Sequence, residues 1–185
     1  MHHNLLARSL AALGLLATLI GTTATTATAE SAPTAPQRAM AQYGPYKIVN
    51  SANRGNLLPG GYGHNLHDGI YMWAWNSGGG GDTWRVEDVE YGYYIIRNTM
   101  TNKCLKPASG QYGYKTYVTQ GNCGNAWEFQ WAIQGQRGPS GMEHKIVSRS
   151  TGTAMTPFYP NHLNQVVVLD TNSDADAMWW SFAPV

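Results

Sequence analysis

A set of four anchor positions recurs three times along this 185-residue chain, and it constrains the fold more than any other feature. Each copy opens on an isoleucine, and the openings lie 48 and 50 residues apart. A large apolar residue, a proline and a closing tryptophan then follow in the same order. The anchors are Ile48, Ile96 and Ile146; Leu57, Leu105 and Met155; Pro59, Pro107 and Pro157; and Trp84, Trp131 and Trp180. Such a register indicates an internal triplication, with repeats at about residues 43–91, 92–140 and 141–185.

Short alternating runs separated by turn residues fill all three repeats. Glycine-rich or proline-rich turns, as at residues 59–61 and 78–81, interrupt these runs about every eight to twelve positions. This spacing is typical of an all-β chain with about four strands in each repeat. A closed three-lobed barrel would bury the apolar face of every repeat and leave no long free edge. The sequence therefore predicts a β-trefoil with pseudo-threefold symmetry, whose core holds the opening isoleucines and the closing tryptophans.

The first 42 residues have the composition of a targeting segment followed by a connector. Arg8 precedes an apolar run at residues 10–20, and small residues at 27–29 fit a cleavage site. The apolar run is short for a membrane span, although an uncleaved anchor is the alternative. We expect a secreted, extracellular protein, and the alanine- and threonine-rich leader is typical of an exported bacterial protein. The predicted divisions are a signal peptide at 1–29, a flexible linker at 30–42 and a folded domain at 43–185.

Beyond the leader, the chain has no net charge when histidines are counted as neutral. Its twelve Lys and Arg residues become eleven when Arg8 is left out, against eleven Asp and Glu. A nucleic-acid partner would need a concentrated basic surface, so the balance argues against one. Gly, Thr, Asn, Tyr and Trp are plentiful, which favours neutral polar partners. No phosphate loop, catalytic triad order or zinc-protease motif is present, so the sequence predicts neither a cofactor nor an enzyme.

Both cysteines, Cys104 and Cys123, lie in the middle repeat. In an exported protein they are expected to pair. Closing this short loop would stabilise the fold by roughly 3 kcal/mol on the chain-entropy model. A thiol nucleophile or a metal site is the alternative, but neither has partner residues at the spacing its chemistry needs.

Three groups of ionisable residues carry weaker signals. His64 and His67, next to Asp68, have zinc-ligand chemistry without a third clustered ligand, so we expect solvated loop residues there and no metal. Asp174 and Asp176 lie in a polar stretch that is more typical of a turn than of a calcium site. The third group is acidic and is expected to form a solvated surface connection between the first two repeats, not a glycosidase carboxylate pair: Glu87, Asp88 and Glu90.

The repeats resemble ricin-type β-trefoil lectins over roughly residues 43–185. The middle copy carries this resemblance through Cys104-Leu105, Cys123 and the closing Phe129-Gln130-Trp131, which is similar to the Gln-x-Trp motif of that family. The resemblance implies a sugar pocket in each repeat. An Asp would accept hydrogen bonds from sugar hydroxyls, an aromatic ring would stack on the sugar, and an Asn would complete the contacts.

This sequence departs from the family pattern at each part of that pocket. The position of the Asp holds Leu58, Lys106 and Thr156, and that of the stacking aromatic holds Trp75, Gly121 and Thr171. The Gln of the closing motif is replaced by Asp82, Phe129 and Met178. The usual galactose site is therefore not expected. Similar losses occur in β-trefoil protease inhibitors and in the cell-binding subunits of multi-component bacterial toxins.

The first repeat holds an aromatic stripe that could still form a site. In a strand at residues 70–76, three aromatic side chains would share one face, opposite the smaller Ile70, Met72 and Ala74. The smaller set suits the core, so the aromatic set would lie outside as a contact surface. The alternatives are reversed faces or a stripe covered by loops. The candidate ligand-binding residues are Tyr71, Trp73 and Trp75, with Asp68 and Asn76 as acceptors.

The sequence thus predicts a secreted, non-catalytic β-trefoil that binds a glycan or a glycosylated protein surface, with a further protein partner as an open alternative. A protease inhibitor would instead use a protruding loop at residues 135–141 or 158–163. A toxin subunit would need an enzymatic partner.

Overall fold

The computed structural model describes residues 42–61, 65, 67–75, 80–139 and 141–185. These residues belong to one unit of the chain, residues 38–185. The predicted signal peptide lies outside the described residues, as does the predicted linker except for Gln42. Within the described part of the chain, none of the helices has the length and apolar character that crossing a bilayer requires.

Each repeat contributes four β-strands in the described residues. The first repeat forms β1 (Gln42–Asn50), β2 (Asn56–Pro59), β3 (Met72–Trp75) and β4 (Thr83–Glu90). The second forms β5 (Tyr93–Asn98), β6 (Cys104–Tyr112), β7 (Lys115–Gly121) and β8 (Gln130–Arg137). The third forms β9 (Glu143–Ser148), β10 (Ala154–Pro157), β11 (Gln165–Asp170) and β12 (Trp179–Pro184). Two 3-10 turns, Trp127–Phe129 and Asp176–Met178, precede the closing strands of the second and third repeats.

The first and last strands of the repeats close into a six-stranded antiparallel barrel. Going round the ring, β1 pairs with β4, β4 with β5, β5 with β8, β8 with β9, β9 with β12, and β12 with β1. A closed ring leaves no strand with a free edge, as the sequence analysis required.

The remaining strands form three hairpins, which together form a cap. Each hairpin joins the second and third strands of one repeat: β2–β3, β6–β7 and β10–β11. Strand β11 also pairs with β3 and with β7, so hairpins from different repeats contact one another. A six-stranded barrel with three hairpins is the β-trefoil, and the predicted fold is confirmed.

The predicted core is also confirmed. The three opening isoleucines and the three closing tryptophans are all 0% exposed. They form one cluster with the other large apolar anchors, Leu57, Leu105 and Met155. Cys104 and Cys123 form the expected disulfide, with their Cα atoms 5.0 Å apart, so neither is free to act as a nucleophile.

The prediction of a solvated acidic connection at Glu87, Asp88 and Glu90 was wrong for Glu87, whereas Glu90 is exposed. These residues belong to β4, and Glu87 is only 2% exposed. Arg97 on the neighbouring strand donates two hydrogen bonds to the Glu87 carboxylate, at 2.6 and 3.1 Å. The hydrogen bond with Glu87 raises the pKa of Arg97 despite the opposing effect of burial. Arg97, whose side chain is 26% exposed, therefore balances the buried Glu87 carboxylate between two barrel strands.

Candidate functional site

The predicted division of faces in the first repeat is confirmed. Met72 and Ala74 are 0% exposed and pack in the core, whereas Trp73 and Trp75 on the opposite face are half-buried. Among the described residues the strand runs from Met72 to Trp75, so it begins two residues later than expected and Tyr71 precedes it. Tyr71 is 39% exposed. Strand alternation thus directs the two tryptophans outward from the barrel core.

Trp73 and Trp75 line a small cavity beside the first hairpin. Their ring centroids lie 5.5 Å apart with an interplanar angle of 78°, an edge-to-face arrangement. The cavity has a volume of about 220 Å³, and Leu58, Pro59, Gly60 and Gly61 complete its described lining. A Cβ atom built on Gly60 would lie 3.5 Å from the Trp73 indole nitrogen. Gly60 and the Trp73 indole nitrogen therefore lie side by side at the wall of the cavity.

The chemistry of this cavity is mainly apolar. Leu58, which stands at the Asp position of the lectin pattern, is 2% exposed and offers no acceptor. The Trp73 indole N–H has no hydrogen-bond partner among the described residues. Two indole faces and one donor can bind a ring that has an apolar C–H face and a hydroxyl rim.

Tyr71 belongs to a different aromatic group from the two tryptophans. Its ring centroid lies 4.5 Å from that of Tyr117 and 5.4 Å from that of Tyr112, on the second hairpin. Further edge-to-face contacts continue to the third hairpin, where Tyr112 meets Phe158 at 5.1 Å. We call this set the hairpin aromatic cluster: Tyr71, Tyr112, Tyr114, Tyr117, Phe158 and Tyr159. This cluster could not be recognised in the sequence because its members come from all three repeats.

Of the two predicted acceptors, Asp68 is described, and it does not line the tryptophan cavity. Asn76 lies outside the described residues. The Asp68 carboxylate lies 2.6 Å from the Lys103 ammonium and lines a second cavity, of about 690 Å³, against the second hairpin. The role of these residues in binding stays a prediction.

This second cavity corresponds to the sugar pocket position of the second repeat, but its chemistry is different. Lys106 stands at the Asp position, and its ammonium lies 3.0 Å from Glu128 and 5.2 Å from the centroid of the Phe129 ring. A Cβ atom at Gly121 would lie 3.2 Å from Cδ of Lys106, so an aromatic side chain at this position would require the lysine side chain to move. An ion pair thus replaces both the acceptor and the stacking platform.

The acidic turn of the third repeat is occupied by ion pairs. Asp174 pairs with Lys145 at 2.7 Å, and Asp176 pairs with Arg137 at 2.6 Å. The hydrogen bond from Lys145 holds the pKa of Asp174 below its usual value. Among the described residues, no group of three His, Cys, Asp or Glu side chains is placed to hold a metal ion. His64, one of the two predicted zinc-ligand candidates, lies outside those residues.

Comparison with known proteins supports the fold and the resemblance. Residues 80–158 match the family described as ricin-type beta-trefoil lectin domain-like. No curated protein matches the chain. The designed threefold-symmetric protein ThreeFoil is similar, with a TM-score of 0.67, 21% identity, and coverage of 77% of this chain and 100% of its own.

Two natural proteins are similar as well. The Rhizoctonia solani agglutinin has a TM-score of 0.62 and 14% identity, and the match covers 77% of this chain and 95% of the agglutinin. A mosquitocidal holotoxin has a TM-score of 0.64 and 14% identity, but the 79% of this chain that matches corresponds to only 17% of the holotoxin. At these identities the solved structures establish the fold alone. The chain is a β-trefoil, and its resemblance to ricin-type beta-trefoil lectins is confirmed over residues 80–158.

Proposed function

We propose that this chain is a secreted, non-catalytic module that binds a neutral glycan through the cavity between Trp73 and Trp75. The observation that carries the proposal is the edge-to-face pair of indoles, which is half-buried and lines a cavity of about 220 Å³ on the outer face of β3. The family match over residues 80–158 supports a carbohydrate-binding role in general. The cavity supports a location for that role in the first repeat, outside the matched residues.

The lining of the cavity defines the kind of sugar that would bind. Leu58 stands in place of the family Asp, so no carboxylate would accept hydrogen bonds from two sugar hydroxyls. The affinity would come from stacking on the indole rings and from a hydrogen bond donated by the Trp73 N–H. Such a site favours rings with a broad C–H face and tolerates changes at individual hydroxyls. We therefore expect weak binding with little preference for galactose over other neutral hexoses.

A binding role without catalysis is supported by the ion pairs of three described carboxylates. Glu87 is held by Arg97, and Asp174 and Asp176 are held by Lys145 and Arg137. A glycosidase would need one carboxyl group kept protonated opposite a second that is ionised. Secretion is inferred from the predicted signal peptide at residues 1–29, and the disulfide fits an oxidising compartment.

A glycan array probed with the purified protein tests the proposal, followed by titration of the strongest neutral glycan. Trp73→Ala and Trp75→Ala should each weaken binding about tenfold, because each removes a stacking face. Trp75→Phe keeps a smaller face and should bind better than Trp75→Ala. Trp127→Ala is the matched control, since Trp127 is 63% exposed and does not line the cavity.

The result that would overturn the proposal is a glycan that binds the wild type and the two cavity variants equally, or an array without any bound glycan. Circular dichroism of each variant shows whether a loss of binding reflects unfolding. A shared loss in the Trp127→Ala control would also remove the cavity from consideration.

A protease-inhibitor function is the second candidate, and an exposed loop favours it. In the connection from β10 to β11, Tyr159 is 56% exposed and Leu163 is 55% exposed. Exposed aromatic and apolar side chains on a loop are typical contact residues of a protein partner. A panel of secreted proteases assayed with the wild type and with Tyr159→Ala separates this function from glycan binding.

A further inference from the structure

The open end of the barrel carries a second concave surface, away from the hairpin strands. On the opening strands, one residue lies two positions before each core isoleucine: Tyr46, Tyr94 and His144. On the closing strands, one residue lies two positions after each core tryptophan: Val86, Ile133 and Phe182. Because strand side chains alternate, both sets share the inward direction of the core residues and form the next layer of the barrel. We call this layer the barrel mouth.

The barrel mouth surrounds a cavity of about 1020 Å³, at the upper end of the range for small-molecule sites. Val86 is 4% exposed, and the other five side chains are half-buried. Phe182 lies centrally in contact with two of them, with ring centroids 5.9 Å from Tyr46 and 5.8 Å from His144. Tyr43 and Met142 stand at the rim and are 47% and 43% exposed. The walls are therefore aromatic and aliphatic.

The polar groups of the barrel mouth are few. The His144 Nδ1 atom lies 2.6 Å from the carbonyl oxygen of Gly135 and donates a hydrogen bond to it, and the other ring nitrogen, Nε2, can form a further hydrogen bond. The hydroxyls of Tyr46 and Tyr94 have no hydrogen-bond partner among the described residues. None of the described lining residues is a Lys, Arg, Asp or Glu.

We propose that the barrel mouth binds a neutral, mainly apolar small molecule with one or more flat rings and a hydrogen-bonding group. The aromatic walls match flat rings, and the absence of charged side chains from the described lining disfavours an ionic ligand. The two phenol hydroxyls and the imidazole nitrogen supply hydrogen bonds that orient the ligand. This site is distinct from the Trp73–Trp75 cavity in its residues and in its ligand, so it stands independently of the proposed glycan binding.

The test uses the neutral fluorophore N-phenyl-1-naphthylamine, whose emission rises and shifts to the blue in apolar sites. Titration of the full-length protein should give saturable binding with one molecule per chain. Met142→Glu should weaken this binding at least about tenfold, because a carboxylate at the rim would lose water next to an apolar ligand. Met100→Glu is the matched control: Met100 is 42% exposed against 43% for Met142, and it does not line the mouth. It should leave binding unchanged.

Several results would overturn the proposal. One is the absence of saturable binding, and another is equal affinity in the two methionine variants. If Trp75→Ala lost probe binding and Met142→Glu kept it, the probe would bind in the tryptophan cavity and not in the barrel mouth. A concentration-dependent dimer that Met142→Glu dissociates, without probe binding to the wild type, would show that a second copy covers the mouth. Glycan binding by Met142→Glu should remain at the wild-type level, so failure here leaves the proposed function untouched.

Discussion

The indole nitrogen of Trp131 donates a 3.0 Å hydrogen bond to the carbonyl oxygen of Leu105. This bond ties the closing strand of the second repeat to its own hairpin strand, inside the core. The same relationship recurs in the other repeats, from Trp84 to Leu57 at 2.7 Å and from Trp180 to Met155 at 3.0 Å. In each of the three repeats, the large apolar anchor thus packs its side chain in the core and accepts a hydrogen bond at its backbone carbonyl oxygen.

Replacing Trp131 by Phe should lower the free energy of unfolding by about 1–3 kcal/mol. The Leu105 carbonyl would be left buried without its donor, and the smaller ring would leave a void. Urea denaturation measures the change. Trp127→Phe is the control, because a residue that is 63% exposed should change stability by no more than about 0.5 kcal/mol. Equal effects of the two substitutions would contradict the structural role of the bond.

The anchors could be predicted from the sequence because each one is both buried and repeated. Ile96 and Trp131 lie in the same core cluster as the matching residues of the other two repeats. The repeat spacing in the sequence is therefore enough to identify all of them. The alternation that places Met72 and Trp73 on opposite faces of β3 is a local property of the strand. It could therefore be predicted from the sequence as well. These features depend on contacts within a strand or within a repeat.

Contacts between particular side chains of different repeats, outside the repeated core positions, could not be predicted. Tyr71 and Trp73 lie on one face in sequence, yet Tyr71 packs on Tyr117 because the hairpins of the first two repeats meet in the cap. Asp68 pairs with Lys103, which is distant in sequence. The burial of Glu87 was likewise hidden, because its partner Arg97 lies on the next strand across a hairpin. A single sequence shows the residue types and not this pairing.

The turn after each opening strand provides a second prediction. The Asn98 side chain accepts hydrogen bonds from the backbone N–H groups of Met100 and Thr101, at 3.0 and 2.9 Å. Its amide group donates to the Gly81 carbonyl at 2.7 Å, and Asn98 is 0% exposed. Asn50 makes the equivalent contacts in the first repeat. In the third repeat the shorter Ser148 side chain bonds only to the Ser150 hydroxyl among the described residues.

Asn98→Ala should therefore destabilise the protein more than Ser148→Ala. We expect a loss of about 2–3 kcal/mol for the asparagine, because two backbone donors and one carbonyl lose their partner. The serine should cost about 1 kcal/mol or less, since it leaves one hydroxyl without a partner. Thermal unfolding of both variants decides the comparison, and an equal loss would show that the asparagine bonds add nothing to the turn.

Gly55 should not tolerate any side chain. A Cβ atom at this position would lie 2.4 Å from the carbonyl carbon of Ala74, which is backbone of the neighbouring strand and cannot rotate away. Gly55→Ala should cost at least about 3 kcal/mol, because β2 and β3 would have to separate. Gly124→Ala is the control: its nearest contact would be Phe129 at 3.7 Å, an ordinary van der Waals distance. A Gly55→Ala protein as stable as Gly124→Ala would contradict the close approach of the strands.

The second and third hairpins are joined by an ion pair that should make stability depend on acidity. The Lys115 ammonium lies 2.5 Å from the Asp170 carboxylate, between β7 and β11. The hydrogen bond from Lys115, supported by one from the Thr171 backbone, holds the pKa of Asp170 below its usual value although partial burial opposes this. The folded carboxylate therefore binds its proton less tightly than the unfolded one.

It follows that Asp170 stabilises the fold above the pKa of the unfolded carboxyl, and that this contribution disappears as the pH falls through the folded pKa. Asp170→Asn should lower the free energy of unfolding near neutral pH by no more than about 1 kcal/mol, because the pair is partly exposed to solvent. The difference from the wild type should vanish in strong acid. Lys115→Met should show the same pH profile, and the double variant should lose little more than either single one. Urea denaturation between neutral pH and pH of about 2 measures these differences, and a constant difference across that range would show that Asp170 acts through packing alone.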